Sequence, residues 1–139
     1  MHKFLENLKP TYGVFSSALG GESGYKAEST LFVDMKNYNN AVLYGMASGA
    51  STGQVISLIA LEATDTAGNG SATTSKTDVF TATATNHTDL LQVEIKAEEL
   101  SAGYQFVGIR MTTDDTSGTE KVSGMIVQGA PRYAQAVLP

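Results

Sequence analysis

Cysteine is absent from this chain, which excludes disulfide cross-links and thiolate metal sites and leaves packing or partners as the source of stability. Tryptophan is absent as well, which makes an aromatic platform for stacking on sugars a weaker expectation. Charged side chains make up only 17%, where an average soluble domain carries roughly a quarter. Much of the surface is therefore hydroxyl, amide or backbone. The charges lean acidic, 9 Lys and Arg against 14 Asp and Glu for a net charge of −5, and no basic cluster stands out. A phosphate-tracking groove for nucleic acid is not expected. No run of about 18 apolar residues occurs, so no membrane-spanning helix is expected. The opening segment MHKFLENLKPTYGVF lacks the unbroken apolar stretch of about 7–15 residues that a signal peptide needs, so secretion by that route is not expected either.

What is present is a rhythm. Between residues 30 and 130 short apolar runs, TLFVD, AVLYGMA, QVISLIALEA, DVFTATA, LLQVEI, YQFVGIRMTT and VSGMIVQGA, are separated by segments of Gly, Ser, Thr, Asn and Asp. Runs of about 4–8 β-branched and aromatic residues bounded by turn formers read as strands. With 139 residues, one domain is expected. Strands at this spacing, with no helix of real length between them, predict an all-β fold: an antiparallel two-sheet sandwich, jelly-roll-like. In LLQVEIK the alternation is clean, with Leu91, Val93 and Ile95 facing in and Gln92, Glu94 and Lys96 facing out. QVISLIALEA is apolar on both parities and is expected to be central and covered on both faces. YQFVGIRMTT places Tyr104 and Phe106 on one face and Val107, Ile109 and Met111 on the other. The connections SGASTG, DTAGNGSATTS, TNHTD and TTDDTSGTE read as turns, and AEELSAG as one helical turn closed by Gly103.

The two ends differ from this ladder. Residues 1–29 read as an extended N-terminal arm, with Phe4, Leu5 and Leu8 at near-helical spacing ahead of Pro10 and a Gly/Ser-rich passage after it. A helix under about 12 residues is marginal alone, so the arm lies against its own domain or a neighbour. At the other end Pro131 stops the last strand, and Arg132, Tyr133 and the apolar tail 134–139 follow. The tail either folds along its own domain, with Arg132 paired to a carboxylate, or docks on a neighbouring subunit. The expected organisation is arm 1–29, sandwich 30–130 and tail 131–139. The expected contact residues are Phe4, Leu5, Leu8, Tyr12, Phe15, Arg132 and Tyr133.

Catalytic chemistry is thin. His2 and His87 are the only histidines and nothing brings them together, so a zinc site is not expected and His87 reads as a solvated turn residue. Asp114 and Asp115, or Asp65 with Asn69 and Ser71, could offer oxygens to a calcium ion. Neither matches a spaced calcium loop, and acidic turns between strands are routine. Glu98 and Glu99 point apart on a turn and suit its start. No nucleophile elbow, P-loop or HExxH motif is present. No enzyme activity and no cofactor is expected.

The string GYQFVGIRMTTDDTSGTEKVSGMIVQGAPRY from Gly103 onward resembles the closing hairpin of small β-sandwich cement or decoration proteins of tailed-bacteriophage capsids. QVISLIALEATDTAG is similar to their strand ending in an acidic turn, and TLFVDMKNYNNAVLYGMASGAST to the strand pair before it. The similarity covers about residues 30–133. Gly108 departs from it, standing where family members often carry Arg. The resemblance implies a virion structural protein, a homotrimer or homodimer bound to the major capsid protein on the outer surface of a phage head, with the arm and tail reaching to neighbours. Two alternatives are a phage tail or fibre component and a carbohydrate-binding β-sandwich module.

Overall fold

The computed structural model describes the backbone of residues 8–19, 26–28, 31–114 and 120–131, and the side chains of 8–11, 31–114 and 120–130. In chain order the strands are β1 (Leu8–Leu19), β2 (Lys26–Glu28), β3 (Val33–Asp34), β4 (Tyr38–Ala50), β5 (Val55–Ala63), β6 (Ala72–Thr81), β7 (His87–Lys96), β8 (Phe106–Thr113) and β9 (Glu120–Pro131). One 3-10 turn, Ala97–Glu99, follows β7. A four-stranded sheet runs β1-β9-β4-β7, and the second sheet runs β2-β8-β5-β6 with β3 also on β8. All pairings are antiparallel. The fold is the jelly-roll-like two-sheet sandwich that the strand rhythm predicts.

The period of two decides which side chains meet between the sheets. Leu43 on β4, Leu91 and Ile95 on β7 and Ile126 on β9 face Ile56 and Leu58 on β5 and Ile109 and Met111 on β8, all buried in one cluster. Each such side chain contributes about 1.5–3 kcal/mol on burial. β7 alternates as its sequence says, with Leu91, Val93 and Ile95 inside and Gln92, Glu94 and Lys96 outside. β5 is covered on both faces only in its second half, where Leu61 and Ala63 join Phe32 and Phe106 in a small outer cluster.

Two segments differ from their sequence reading. Residues 8–19, within the stretch read as an arm, form β1 along β9, with Leu8 opposite Gly129 and Pro10 opposite Val127. Pro10 is tolerated because β1 is an edge strand, where a missing N–H interrupts nothing. Ala72–Ser75, read as part of a loop, belongs to β6. Its hydroxyl-rich sequence hides the strand because β6 is also an edge with one wet face.

The edges and ends are tied by side chains bonding to backbone. Asp78 on β6 accepts from the Gln92 N–H of β7 at 2.9 Å, which joins the two sheets along one side. At one end Gln54 donates from Nε2 to Thr113 Oγ1 at 2.7 Å and accepts from the Ser51 N–H at 2.9 Å. At the other, buried Gln128 donates to the Asp34 carbonyl at 2.6 Å.

Candidate functional site

The face of β4 turned away from the core carries Asn40, Val42, Tyr44, Met46 and Ser48, alternating with the buried Ala41, Leu43 and Ala47. Pairing register puts neighbours beside each of these. Tyr44 lies between Gln92 on β7 and Met125 on β9, Val42 between Glu94 and Val127, and Met46 between Leu90 and Ser123. Because β4 is an inner strand of its sheet, Tyr44 stands near the middle of this outer surface. Met46 and Leu90 are 49% and 58% exposed, too open to be core.

Polar groups frame this centre. Asn40 donates from Nδ2 to Glu94 Oε1 at 3.3 Å, which holds the carboxylate beside Val42. Asn40 Oδ1 is sealed from solvent and has no hydrogen-bond partner among the described residues. At the same end lies a hollow of about 380 Å³ lined by Asn39, Asn40, Lys96, Ala97 and Glu98. Among the described residues the surface therefore combines the Tyr44 ring, aliphatic side chains and an amide, carboxylate and hydroxyl border. That is a set suited to a ligand with both apolar faces and hydroxyls.

The residues singled out in the sequence fall elsewhere. Phe4, Leu5, Arg132 and Tyr133 lie outside the described residues, and for Tyr12 and Phe15 only the backbone, in β1, is described. Leu8 is half-buried opposite Gly129, at the border of the outer face. His87 is not a solvated turn residue: it opens β7, its Nδ1 accepts from the Thr83 N–H at 3.1 Å, and its ring leans on Phe80. Asp114 accepts from the Val55 N–H, and Glu99 from the Lys96 N–H, so both work as backbone clasps. Among the described residues no group of three or more His, Asp or Glu is placed to hold a metal ion.

Asp65 shapes the loop before β6. Its Oδ1 accepts from the N–H groups of Ala67 and Asn69 and its Oδ2 from Asn69 Nδ2. The Asn69 side chain, followed by these backbone donors, holds the carboxyl below its usual value of 3.8. A depressed folded value means that the order it gives is complete above 3.8 and is lost only as pH falls through the lower folded value. Asn69→Ala is expected to raise the Asp65 midpoint toward 3.8, read from its carboxyl carbon shift across an acid titration; an unmoved midpoint would contradict the assignment.

Tyr44 was missed by the sequence reading, although its signal was there. In AVLYGMA the residues Val42, Tyr44 and Met46 occupy the parity opposite Ala41, Leu43 and Ala47. A strand apolar on both parities presents apolar side chains on its outer face as well as toward the core.

No protein-family model matches the chain, and no curated protein does. Solved structures do. A two-module xylanase fragment of Clostridium thermocellum, a CBM22 module with a GH10 module in complex with xylohexaose, matches at 13% identity with a TM-score of 0.50, over 96% of this chain and 28% of that one. A family 16 carbohydrate-binding module matches at 15% identity and TM-score 0.44 over 79% of this chain and 70% of that one. A CBM22 xylan-binding domain from Paenibacillus barcinonensis matches at 11% identity and TM-score 0.43, over 88% and 86%.

These findings correct the capsid reading. The xylanase structure, matched over 96% of this chain at a TM-score of 0.50, carries a carbohydrate-binding module and is not a phage head protein, so the cement role, the major capsid protein as partner, the homotrimer or homodimer and the virion location are withdrawn. The physical reason is that strand pleat and turn chemistry impose the same pattern on any antiparallel sandwich, so the pattern reported the fold and not what the fold binds. The tail or fibre alternative rested on the same pattern and goes with it. At the level of fold, this chain is a sandwich of the kind found in the xylanase structure that carries a carbohydrate-binding module.

Proposed function

We propose that this protein is a carbohydrate-binding β-sandwich module, the last of the alternatives raised by its sequence, and that a polysaccharide lies across the outer face of the four-stranded sheet. The observation that carries the reading is the register that sets Tyr44 near the middle of that face, between Gln92 and Met125, with Glu94 and Ser123 in the adjoining rows and Asn40 one row further on. The apolar faces of sugar rings pack on Tyr44, Met46 and Val42, and the border groups hydrogen-bond the hydroxyls. Few charges surround the ring, so little is desolvated on binding a neutral chain. The role is one of binding, with no bond made or broken.

Affinity electrophoresis against soluble xylan and β-glucan, followed by calorimetry with oligosaccharides, tests this. Tyr44→Ala removes a ring covering on the order of 80 Å² of ligand, worth about 2 kcal/mol at about 25 cal/mol/Å². The expected loss is about thirtyfold in Kd. Val79→Ser, on the exposed β6 edge of the other sheet, is expected to leave binding unchanged. Equal retardation of wild type and Tyr44→Ala, or none on any polysaccharide, would remove the proposal.

A further inference from the structure

A second polar cavity lies away from the Tyr44 face, along the side where β6 meets β7. It measures about 550 Å³, and its wall includes Glu62, Thr73, Ser75, Lys76, Glu99 and Ser101. An irregularity in β6 accompanies it. Between Ile59 and Leu61 on β5 the partner residue jumps from Thr77 to Thr73, so the stretch 74–76 bulges away from its neighbour. Thr74 Oγ1 donates to the Ala60 carbonyl at 3.0 Å and accepts from the Lys76 N–H at 3.1 Å, which locks the bulge in place. Bulges of this kind recur beside binding sites because they re-aim side chains and open the ladder.

Glu62 is the unusual member. Its side chain lies on β5 in the shadow of the bulge, and the residue is 5% exposed. Oε2 accepts from the Ser101 N–H at 2.8 Å, and no described residue donates to Oε1. A largely buried carboxylate in the wall of a cavity, with acceptor capacity beyond its one protein donor, can take a hydrogen bond from a ligand there. Lys76 turns its ammonium to Glu99 Oε1 at 2.7 Å. The Lys76 ammonium and then the Lys96 N–H hold the Glu99 carboxyl below its usual range, so the pair stays ionised at neutral pH.

Two carboxylates and one ammonium leave the wall with a net negative charge, which disfavours phosphate or carboxylate ligands. The remaining groups are the hydroxyls of Thr73, Ser75 and Ser101, able to donate and accept. Ile95 adds an apolar contact.

We infer that this cavity is a second saccharide subsite, taking a single neutral pyranose unit whose vicinal hydroxyls donate to Glu62 and exchange hydrogen bonds with the three hydroxyl side chains. The choice of ligand class rests on the carbohydrate reading above; the cavity and its free carboxylate oxygen do not. The turn Ala97–Glu99 separates the two places, with Lys96, Ala97 and Glu98 lining the hollow beside the Tyr44 face and Glu99 lining this one. A polysaccharide on the face therefore has room for a neighbouring branch or end unit at the side.

The test is an amide-shift titration of the intact protein with methyl β-D-glucopyranoside. Expected are saturable shifts at Ser101 and at 73–76 that persist in Tyr44→Ala. Glu62→Gln keeps an acceptor for the Ser101 N–H but removes the charge, and is expected to weaken these shifts about tenfold. Thr73→Val with Ser75→Ala alters two exposed edge positions and serves as the variant safe for folding, expected to weaken them severalfold. The methyl glucuronide anion is expected to shift these amides far less. Polysaccharide retention through Tyr44 with no shift at Ser101, or shifts unchanged by both variants, overturns the subsite and leaves the main reading standing. Absence of saccharide binding anywhere overturns both.

Discussion

Gly108→Val is expected to destabilise the fold by about 3 kcal/mol or more, in the upper range for overpacking a filled site. Gly108 is buried on β8, opposite Leu61 of β5. A Cβ built there would meet the Phe32 ring, with two of the ring carbons at 2.7 and 2.8 Å and a third closer still. The ring has nowhere to retreat. Its far side is closed by Gly68, at φ +81, whose own Cβ would also strike it. The Phe32 N–H is bonded to the Thr66 carbonyl at 3.0 Å, and the ring packs on Leu61, Ala63 and Phe106. Phe32→Ala alone is expected to cost about 3–4 kcal/mol by loss of burial and the cavity left behind. In the double variant the valine occupies part of that space, so the combined cost should fall short of the sum by at least about 1 kcal/mol. Urea denaturation of the four proteins measures this; strict additivity, or a Gly108→Val protein as stable as wild type, would show that Phe32 does not sit in this slot.

Glu120→Met is expected to act in the opposite direction, stabilising the protein by about 2 kcal/mol at neutral pH. Glu120 opens β9 and is fully buried, and neither carboxylate oxygen has a hydrogen-bond partner among the described residues. Removing a carboxylate from water without a partner costs several kcal/mol, whereas the methionine side chain fills a similar volume with no such demand. Glu120→Gln should gain less, because its amide also arrives in a site that offers it no partners. Thermal and urea melts of the three proteins decide the point. A loss of more than about 1 kcal/mol in Glu120→Met would mean that the carboxylate is satisfied in the folded protein and contributes to it.

These two residues show how legible the chain is. Gly108 stands in a strand sequence where glycine weakens the ladder, and that oddity is visible in the letters. Its cause, an aromatic ring delivered by a segment 76 positions earlier, is not. Glu120 reads as an ordinary acidic turn residue, and only the position of its strand start between two neighbours buries it. The alternation of LLQVEIK predicted its inner and outer faces residue by residue because β7 is an edge strand with one wet side. The strand β6 was half lost for a related reason: with a wet face and a hydroxyl-rich sequence, its first residues look like the loop they follow.

The candidate site divides in the same way. Tyr44 and its flanking Val42 and Met46 share a parity that the sequence displays, but the rows around them exist only once β7 and β9 pair with β4 from distant parts of the chain. The cavity at Glu62 depends on a bulge that no composition announces. The sequence alone determined the class of fold and the face to which most strand residues belong, since pleat and turn chemistry act between near neighbours. Which strands adjoin, which glycine meets which ring and which side chains border Tyr44 or Glu62 were decided by tertiary structure, because those contacts arise between residues that the chain itself keeps far apart.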